Sequence, residues 1–209
     1  ARGPVPSAFV WAYDPDLVGY PHDPKRAREL VGQAGYPDGL EVDLLVPQGG
    51  SGMLAPLRMA EAIQADLAQA GIRARIETFE WNAYLARVNQ GLAGLGDMAA
   101  MAWMTNDPDT LPYLALRSDA WPEHGGFNSG YYSDGNVDRL IEAARRIRDR
   151  DQRAALYREM QRRVVADAPW LFIASWRQSV VSRARVRGLT LQPSFFLRLA
   201  EVYKAAEGG

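Results

Sequence analysis

Apolar residues recur along the chain with two periods, and the switches between them mark out its elements. Residues 1–22 follow neither period. They are rich in Pro, aromatics and Asp (Pro4, Pro6, Trp11, Tyr13, Asp14-Pro15-Asp16, Tyr20-Pro21) and predict an ordered but irregular strap, because Pro fixes φ and pushes the residue before it toward extended geometry. Asp23-Pro24 then opens a helix, Asp as N-cap and Pro at the first helical position, which stops at Ala34-Gly35. After the turn Tyr36-Pro37-Asp38-Gly39, a strand runs from Leu40 to Val46. Leu57, Ala60, Ile63, Leu67 and Ala70 stripe a second helix ended by Gly71, and Ile72 to Phe79 forms the next strand. A third helix spans Glu80 to Gln90. Met98 to Met104 is almost wholly apolar, as a strand buried on both faces would be. A loop-rich stretch, 105–133, surrounds a short helix near Leu111 to Leu116.

Two long helices follow. Val137, Leu140, Ile141, Ala144 and Ile147 stripe the first, and Leu156, Met160 and Val164 the second, which begins with the capping-box-like Asp149-x-x-Gln152. Leu171 to Ala174 and Ser179 to Ser182 read as strands, and Leu189–Leu191 and Val202–Tyr203 as short extended pieces. Alternation of strand and helix predicts an α/β layer fold, with a largely parallel or mixed β-sheet flanked by helices.

Composition narrows the chemistry. In 209 residues, 47% hydrophobic and 23% charged positions are those of a globular chain with a real core. A net charge of −1 provides no bulk field for nucleic acid or an anionic membrane. The absence of cysteine removes thiol nucleophiles, zinc–thiolate sites and disulfides together. No apolar run approaches the roughly 20 residues of a membrane span. The opening Ala1-Arg2-Gly3-Pro4 has neither an initiator Met nor a signal-peptide pattern, so the chain reads as processed or truncated.

Catalytic and metal motifs fail one by one. His22 and His124 sit in loops without a ligand-spaced partner. Asp134-x-Asn136-x-Asp138 imitates a calcium loop, but Arg139 and Arg145 stand where Gly and Glu are needed, so a helix N-terminus is the better reading. Gly49-Gly50-Ser51-Gly52 carries neither a nucleophile elbow nor a phosphate-loop lysine, and reads as a connecting loop. Between Asp138 and Asp167, nine arginines are interspersed with six acids and no aromatic platform, the pattern of a solvated helix face laced with weak ion pairs. The residues yield no enzyme, cofactor, metal site or nucleic-acid partner. What remains is Trp103-Met104-Thr105-Asn106-Asp107-Pro108-Asp109, leaving the end of an apolar strand. In open α/β sheets ligands bind beyond the carboxyl ends of strands. A Trp, an amide and two carboxylates there suit a cationic, partly apolar solute, and they equally suit a capped turn with a core Trp.

Taken in order, these pieces resemble the extracellular solute-binding proteins, family 5, of ABC importers for peptides, nickel and related solutes. The matching residues are Gly3-Pro4-Val5-Pro6, Tyr13-Asp14-Pro15-Asp16-Leu17, Tyr20-Pro21-His22-Asp23-Pro24-Lys25-Arg26-Ala27, Leu30 through Gly39, Ala60 through Leu67 and Gly71-Ile72. They continue with Trp103 through Asp109, Asn128-Ser129-Gly130-Tyr131, Val137 through Ile141, Arg153 through Gln161 and Asp167-Ala168-Pro169-Trp170.

The resemblance implies a periplasmic-binding-protein-like lobe (type II, cluster C), the C-terminal one of two. Residues 1–22 would be an inter-lobe strap, 23–185 the lobe itself, and 186–209 a segment returning to an N-terminal lobe that lies outside this chain. It implies capture of a peptide or similar small solute between lobes that close by hinge motion, and delivery to an ABC permease. Location would be periplasmic or extracytoplasmic, the membrane being reached through the permease or a lipid anchor upstream. A sensory domain feeding a receptor, and a binder of nickel or metal chelate, opine or sugar, are the alternatives. By the same resemblance Asp107 or Asp109 would partner a solute ammonium, Trp103 would form an apolar wall, and Asn106, Asn128 and Tyr131 would make polar contacts. The interval from Trp103 to Asp107 is shorter than in typical dipeptide binders, a departure that bears on recognition of a free α-amino group.

Overall fold

The computed structural model describes residues 1–177, 179–191 and 197–206. Its centre is β1 (Leu40–Pro47), flanked on one side by β2 (Ile72–Phe79) and on the other by β3 (Met98–Ala99), all parallel. The strand period of two sends Val42, Leu44 and Val46 to one face of the sheet. There they pack with Ala74 and Ile76 against Ala60 and Leu67 of α2 (Pro56–Gln69). Leu45 points to the other face and packs on Tyr84 and Val88 of α3 (Trp81–Val88). Where α3 no longer covers that face, the cross-strand pairs turn ionic: Glu41 with Arg73 at 3.3 Å and Asp43 with Arg75 at 2.7 Å. Arg73, Arg75 and Glu77 also charge the edge strand β2, which discourages pairing with another chain. α1 (Pro24–Gln33) starts where expected, the Asp23 carboxylate accepting from the Arg26 N–H at 2.9 Å.

A second layer is helical. Val137, Ile141 and Ala144 of α5 (Gly135–Arg146) meet Tyr157, Met160 and Val164 of α6 (Arg150–Asp167), each sealed from solvent. Burial of a side chain of this size contributes roughly 1.5–3 kcal/mol. The strap of residues 1–22 completes this core. Val5, Ala12 and Leu17 are buried, Gln161 donates from Nε2 to the Ala12 carbonyl at 2.9 Å, and the buried Asp14 carboxylate pairs with Arg162 at 2.8 Å. Both α5 and α6 begin at the acids the sequence indicates: Asp134 accepts from the N–H groups of Asn136 and Val137, and Asp149 from that of Gln152.

The sheet departs from expectation at its third strand. The apolar run to Met104 is ladder-paired only at Met98 and Ala99, and its side chains are partly rather than fully buried up to Trp103. The cause lies in β1. Alternate residues there turn their backbone groups toward β3, and the next after Leu45 is Pro47, which has no N–H to offer. The Ala100 carbonyl is taken instead by the Tyr84 hydroxyl. Leu171 to Ala174 and Ser179 to Ser182 also fail to form strands. They meet no neighbouring strand among the described residues, and Leu171 and Val181 stand 67% and 98% exposed. In the tail the paired residues are β4 (Val186–Arg187) and β5 (Tyr203–Lys204), an antiparallel ribbon, while Leu189–Leu191 pairs with no strand among the described residues. Residues 192–196 and 207–209 of the expected returning segment lie outside the described residues.

Two stability effects follow. Tyr84→Phe keeps the ring but strips the Ala100 carbonyl of its partner, and should lower the unfolding free energy by about 1–2 kcal/mol in urea titration. Asp134→Ala should cost about 1–2 kcal/mol through the lost cap. Burial alone would raise the Asp134 carboxyl, but the Asn136 N–H, the Arg163 guanidinium and the Val137 N–H together hold it below its usual range. Its stabilisation is therefore complete above the ordinary carboxylate range and is lost as pH falls through the lowered folded value. The gap between parent and variant should narrow from about pH 4 downward.

Candidate functional site

Because β1, β2 and β3 are parallel, their carboxyl ends lie along one edge, and three loops emerge there together. The loop after β1 folds back on the other two. Gly50, at φ +140°, lies against the Trp81 indole, where a Cβ would stand 2.2 Å from Cε3, and Gly52 meets Ala102. Gly50 and Gly52 are thus explained by close packing at the sheet edge.

The loop after β3 carries the candidates. Trp103 is half-buried and meets the edge of Phe127 at 5.5 Å between ring centroids, with the planes at 83°. Phe127 is 40% exposed, and Met104, next to Trp103 in the chain, 49%, so the pair carries exposed apolar surface. Asn106 and Asp107 are exposed. Asp107 Oδ1 accepts from the Asp109 N–H at 2.8 Å and its carbonyl from the Thr110 N–H at 3.2 Å, so the carboxylate is fixed in a turn while facing water.

Asp109 turns the other way. It precedes α4 (Thr110–Ala115), and one carboxylate oxygen pairs with Arg145 at 3.4 Å while the other accepts from Tyr157 at 3.5 Å. Burial raises its carboxyl above the usual range and Asp107 adds to this, against the pull of Arg145 and Arg153. The Arg145 guanidinium lies over the Tyr113 ring at 3.5 Å, with Arg117 also over that ring at 4.3 Å. Asp109 therefore ties the turn to α5 and α6 and has little capacity left for a solute.

Asn128 and Tyr131 are held elsewhere. Asn128 is buried, its Nδ2 donating to the Arg117 and Tyr132 carbonyls at 2.9 and 2.7 Å and its Oδ1 accepting from the Tyr132 N–H at 3.0 Å. No polar atom of that amide is free for a ligand in this arrangement. Tyr131 takes a left-handed backbone, φ +56°, and donates its hydroxyl to Glu123 at 2.7 Å with Trp121 edge-on at 5.5 Å. Its ring presses on Gly91, where a Cβ would lie 2.1 Å from the hydroxyl oxygen, and the Leu92 N–H bonds the Ser129 carbonyl beside it. That contact joins the sheet to the helical layer. Of the six candidates, Trp103, Asn106 and Asp107 share the carboxyl-edge loop, Asp109 faces inward from it, and Asn128 and Tyr131 brace the loop that supplies Phe127.

Sequence reasoning did not single out Phe127, Arg145 or Arg153. The arginines belonged to a stretch read as solvated, and Arg146 and Glu142 fit that reading with a loose 3.9 Å pair. Their neighbours Arg145 and Arg153 instead stack on aromatic rings, which only their helical spacing from the buried stripe could have hinted at. His22 and His124 are exposed, and no acid–histidine group among the described residues could hold a metal ion.

The family model for bacterial extracellular solute-binding proteins, family 5 (middle region), matches residues 1–122. The chain belongs to that family. Among curated relatives, di/tripeptide-binding protein 2 of Pseudomonas aeruginosa (strain UCBPP-PA14) is 33% identical over 193 residues, covering 92% of this chain and 36% of the relative. Heme-binding protein A of Haemophilus influenzae is 31% identical over 196 residues, 92% and 35% of the two chains. The solved ABC transporter-associated periplasmic binding protein DppA from Helicobacter pylori, in complex with peptide STSA, superposes with a TM-score of 0.70 at 34% identity, over 80% of this chain and 31% of that one. The chain thus spans about a third of the length of the relatives it matches. The family and these relatives are binding proteins, not enzymes, and the α/β fold is that of periplasmic binding proteins.

Asn128→Ala should lower stability by about 2–3 kcal/mol, since it leaves several buried backbone groups unpaired, whereas Asn106→Ala should stay within about 0.5 kcal/mol. Thermal denaturation of the two variants distinguishes the bracing residue from the exposed one.

Proposed function

We propose that this family 5 chain forms one wall of a solute-binding cleft, and that the whole protein captures a peptide or similar small solute and passes it to an ABC permease. The observation that carries the reading is the exposed Asp107 carboxylate, fixed at the carboxyl edge of the sheet in the same loop as Trp103, which packs on Phe127. A carboxylate in one loop with exposed apolar surface matches a solute with an ammonium at one end and side chains to bury. The names of the relatives, di/tripeptide-binding and heme-binding, support solute capture, and the first of them favours a peptide as the solute.

In this reading Trp103 is the apolar wall, Asn106 an exposed amide contact, and Asp107 the cation partner. Asp109, Asn128 and Tyr131 act through position: Asp109 holds the turn, and the other two hold Phe127 against Trp103. Residues 23–185 are the lobe, with the strap of residues 1–22 carried on α6 as part of the same body. Residues 171–177 and 179–181, which form no strand, and the segment from residue 186 onward lead to a second lobe, which supplies the opposite cleft wall. Closure of the two lobes excludes water and strengthens the Asp107 contact. The protein acts outside the cytoplasm, at the membrane through its permease. No helix among the described residues is long and apolar enough to cross a membrane.

Asp107→Asn in the whole protein should weaken binding of a cationic peptide by about 1.5–3 kcal/mol, the range of a charge-assisted hydrogen bond. Isothermal titration calorimetry reads this directly, and an unchanged affinity removes Asp107 from the site.

A further inference from the structure

One half-buried cation beneath the Asp107–Asp109 turn has no part in the account so far. Arg153, near the start of α6, spreads its guanidinium beside the Trp11 ring at 5.3 Å and the Tyr157 ring at 5.7 Å. Its Nη2 donates to the Tyr157 hydroxyl at 3.1 Å, which donates in turn to Asp109 Oδ1 at 3.5 Å. Its Nε–H is shut off from solvent and has no hydrogen-bond partner among the described residues. A guanidinium cannot shed its proton, so the charge stays, and half-buried it is only partly screened by solvent. Asp107 and Asp109 both act on it electrostatically. Around the turn stand two carboxylates, Asp107 and Asp109, and two guanidiniums, Arg145 and Arg153. These four charges sum to zero, and of the two carboxylates Asp107 is the exposed one.

We infer that Arg153 is a specificity-determining residue of the cleft, set beneath the solute-facing turn so that its positive charge offsets the field of Asp107 and restrains the preference for cationic over neutral solutes. The inference rests on the reading of Asp107 as the solute-facing carboxylate. Arg153 touches no solute. It acts through charge, and it separates two properties that a lone exposed carboxylate would couple. Hydrogen bonding to Asp107 remains open to any donor, while the net attraction for a cation is reduced. A site tuned in this way accepts solutes that differ in charge at the end nearest Asp107. One unit charge felt across about 10 Å at an effective dielectric near 20 changes an affinity roughly tenfold.

The test uses the whole protein and two probes, trialanine with a free amino terminus and N-acetyl-trialanine, each titrated calorimetrically. The readout is the ratio of their affinities, which general damage to the fold does not move because it weakens both alike. Arg153→Met keeps an apolar stem over Trp11 and removes the charge, and the ratio should shift roughly tenfold toward the free amine. Arg153→Lys keeps the charge and should hold the ratio near that of the parent. Should the Met variant not fold, Arg153→Gln carries the same expectation. A ratio unmoved in the Met or Gln variant, while Asp107→Asn collapses it, overturns the role of Arg153 alone. A parent that binds neither probe, or an Asp107→Asn variant with the parental ratio, overturns the Asp107 reading and this inference with it.

Discussion

The parallel pairing of β1 with both neighbours is the constraint from which the rest of the lobe follows. Leu44, Leu45 and Val46, buried in the middle strand, fix its register, and a slip of one residue would turn Glu41 and Asp43 into the core. Two parallel partners place three carboxyl ends on one edge, so the loops that begin at Gln48, Glu80 and Ala100 meet there whatever their sequences. The helical layer then has a single task at that edge. It anchors the turn at Asp109 and presents Phe127 to Trp103.

Polar groups around the turn divide by how much water they retain. Asp109 is drawn inward by Arg145 and Tyr157, Asn128 is consumed by backbone bonds, and Asp107 alone combines a fixed backbone with a free face. That division explains how residues two to twenty-one positions apart cooperate. The inner ones hold geometry by being fully bonded, and the outer one binds because it is not. The shallow groove of about 690 Å³ at the opposite end of the sheet, lined by Glu41, Asp43, Arg73, Arg75 and Asp97, illustrates the contrast. Its charges are spent on one another in cross-strand pairs.

Most of the fold was legible in the chain itself. Helix starts at Asp23, Asp134 and Asp149 fall where cap residues stand, and β1 and β2 lie where period two appears, because caps and periodicity are local properties. β3 was overextended because the composition of Met98 to Met104 cannot report that Pro47, on another strand, withholds a donor. Leu171 to Ala174 has the composition of a strand, but pairing requires a neighbour that composition does not specify. At the site, the residue types near Trp103 were visible. Which carboxylate faces outward was not, since it depends on Arg145 and Tyr157 arriving from helices far along the chain. Tyr131 shows the same limit, its partner Gly91 lying forty residues earlier.

The most direct test of the carboxyl edge as the solute-binding surface is hydrogen–deuterium exchange on the whole protein with and without a tripeptide. The account predicts slowed exchange at residues 49–54 and 101–107 on peptide addition. Exchange unchanged there, with protection confined to the groove around Arg73 and Arg75, would contradict it.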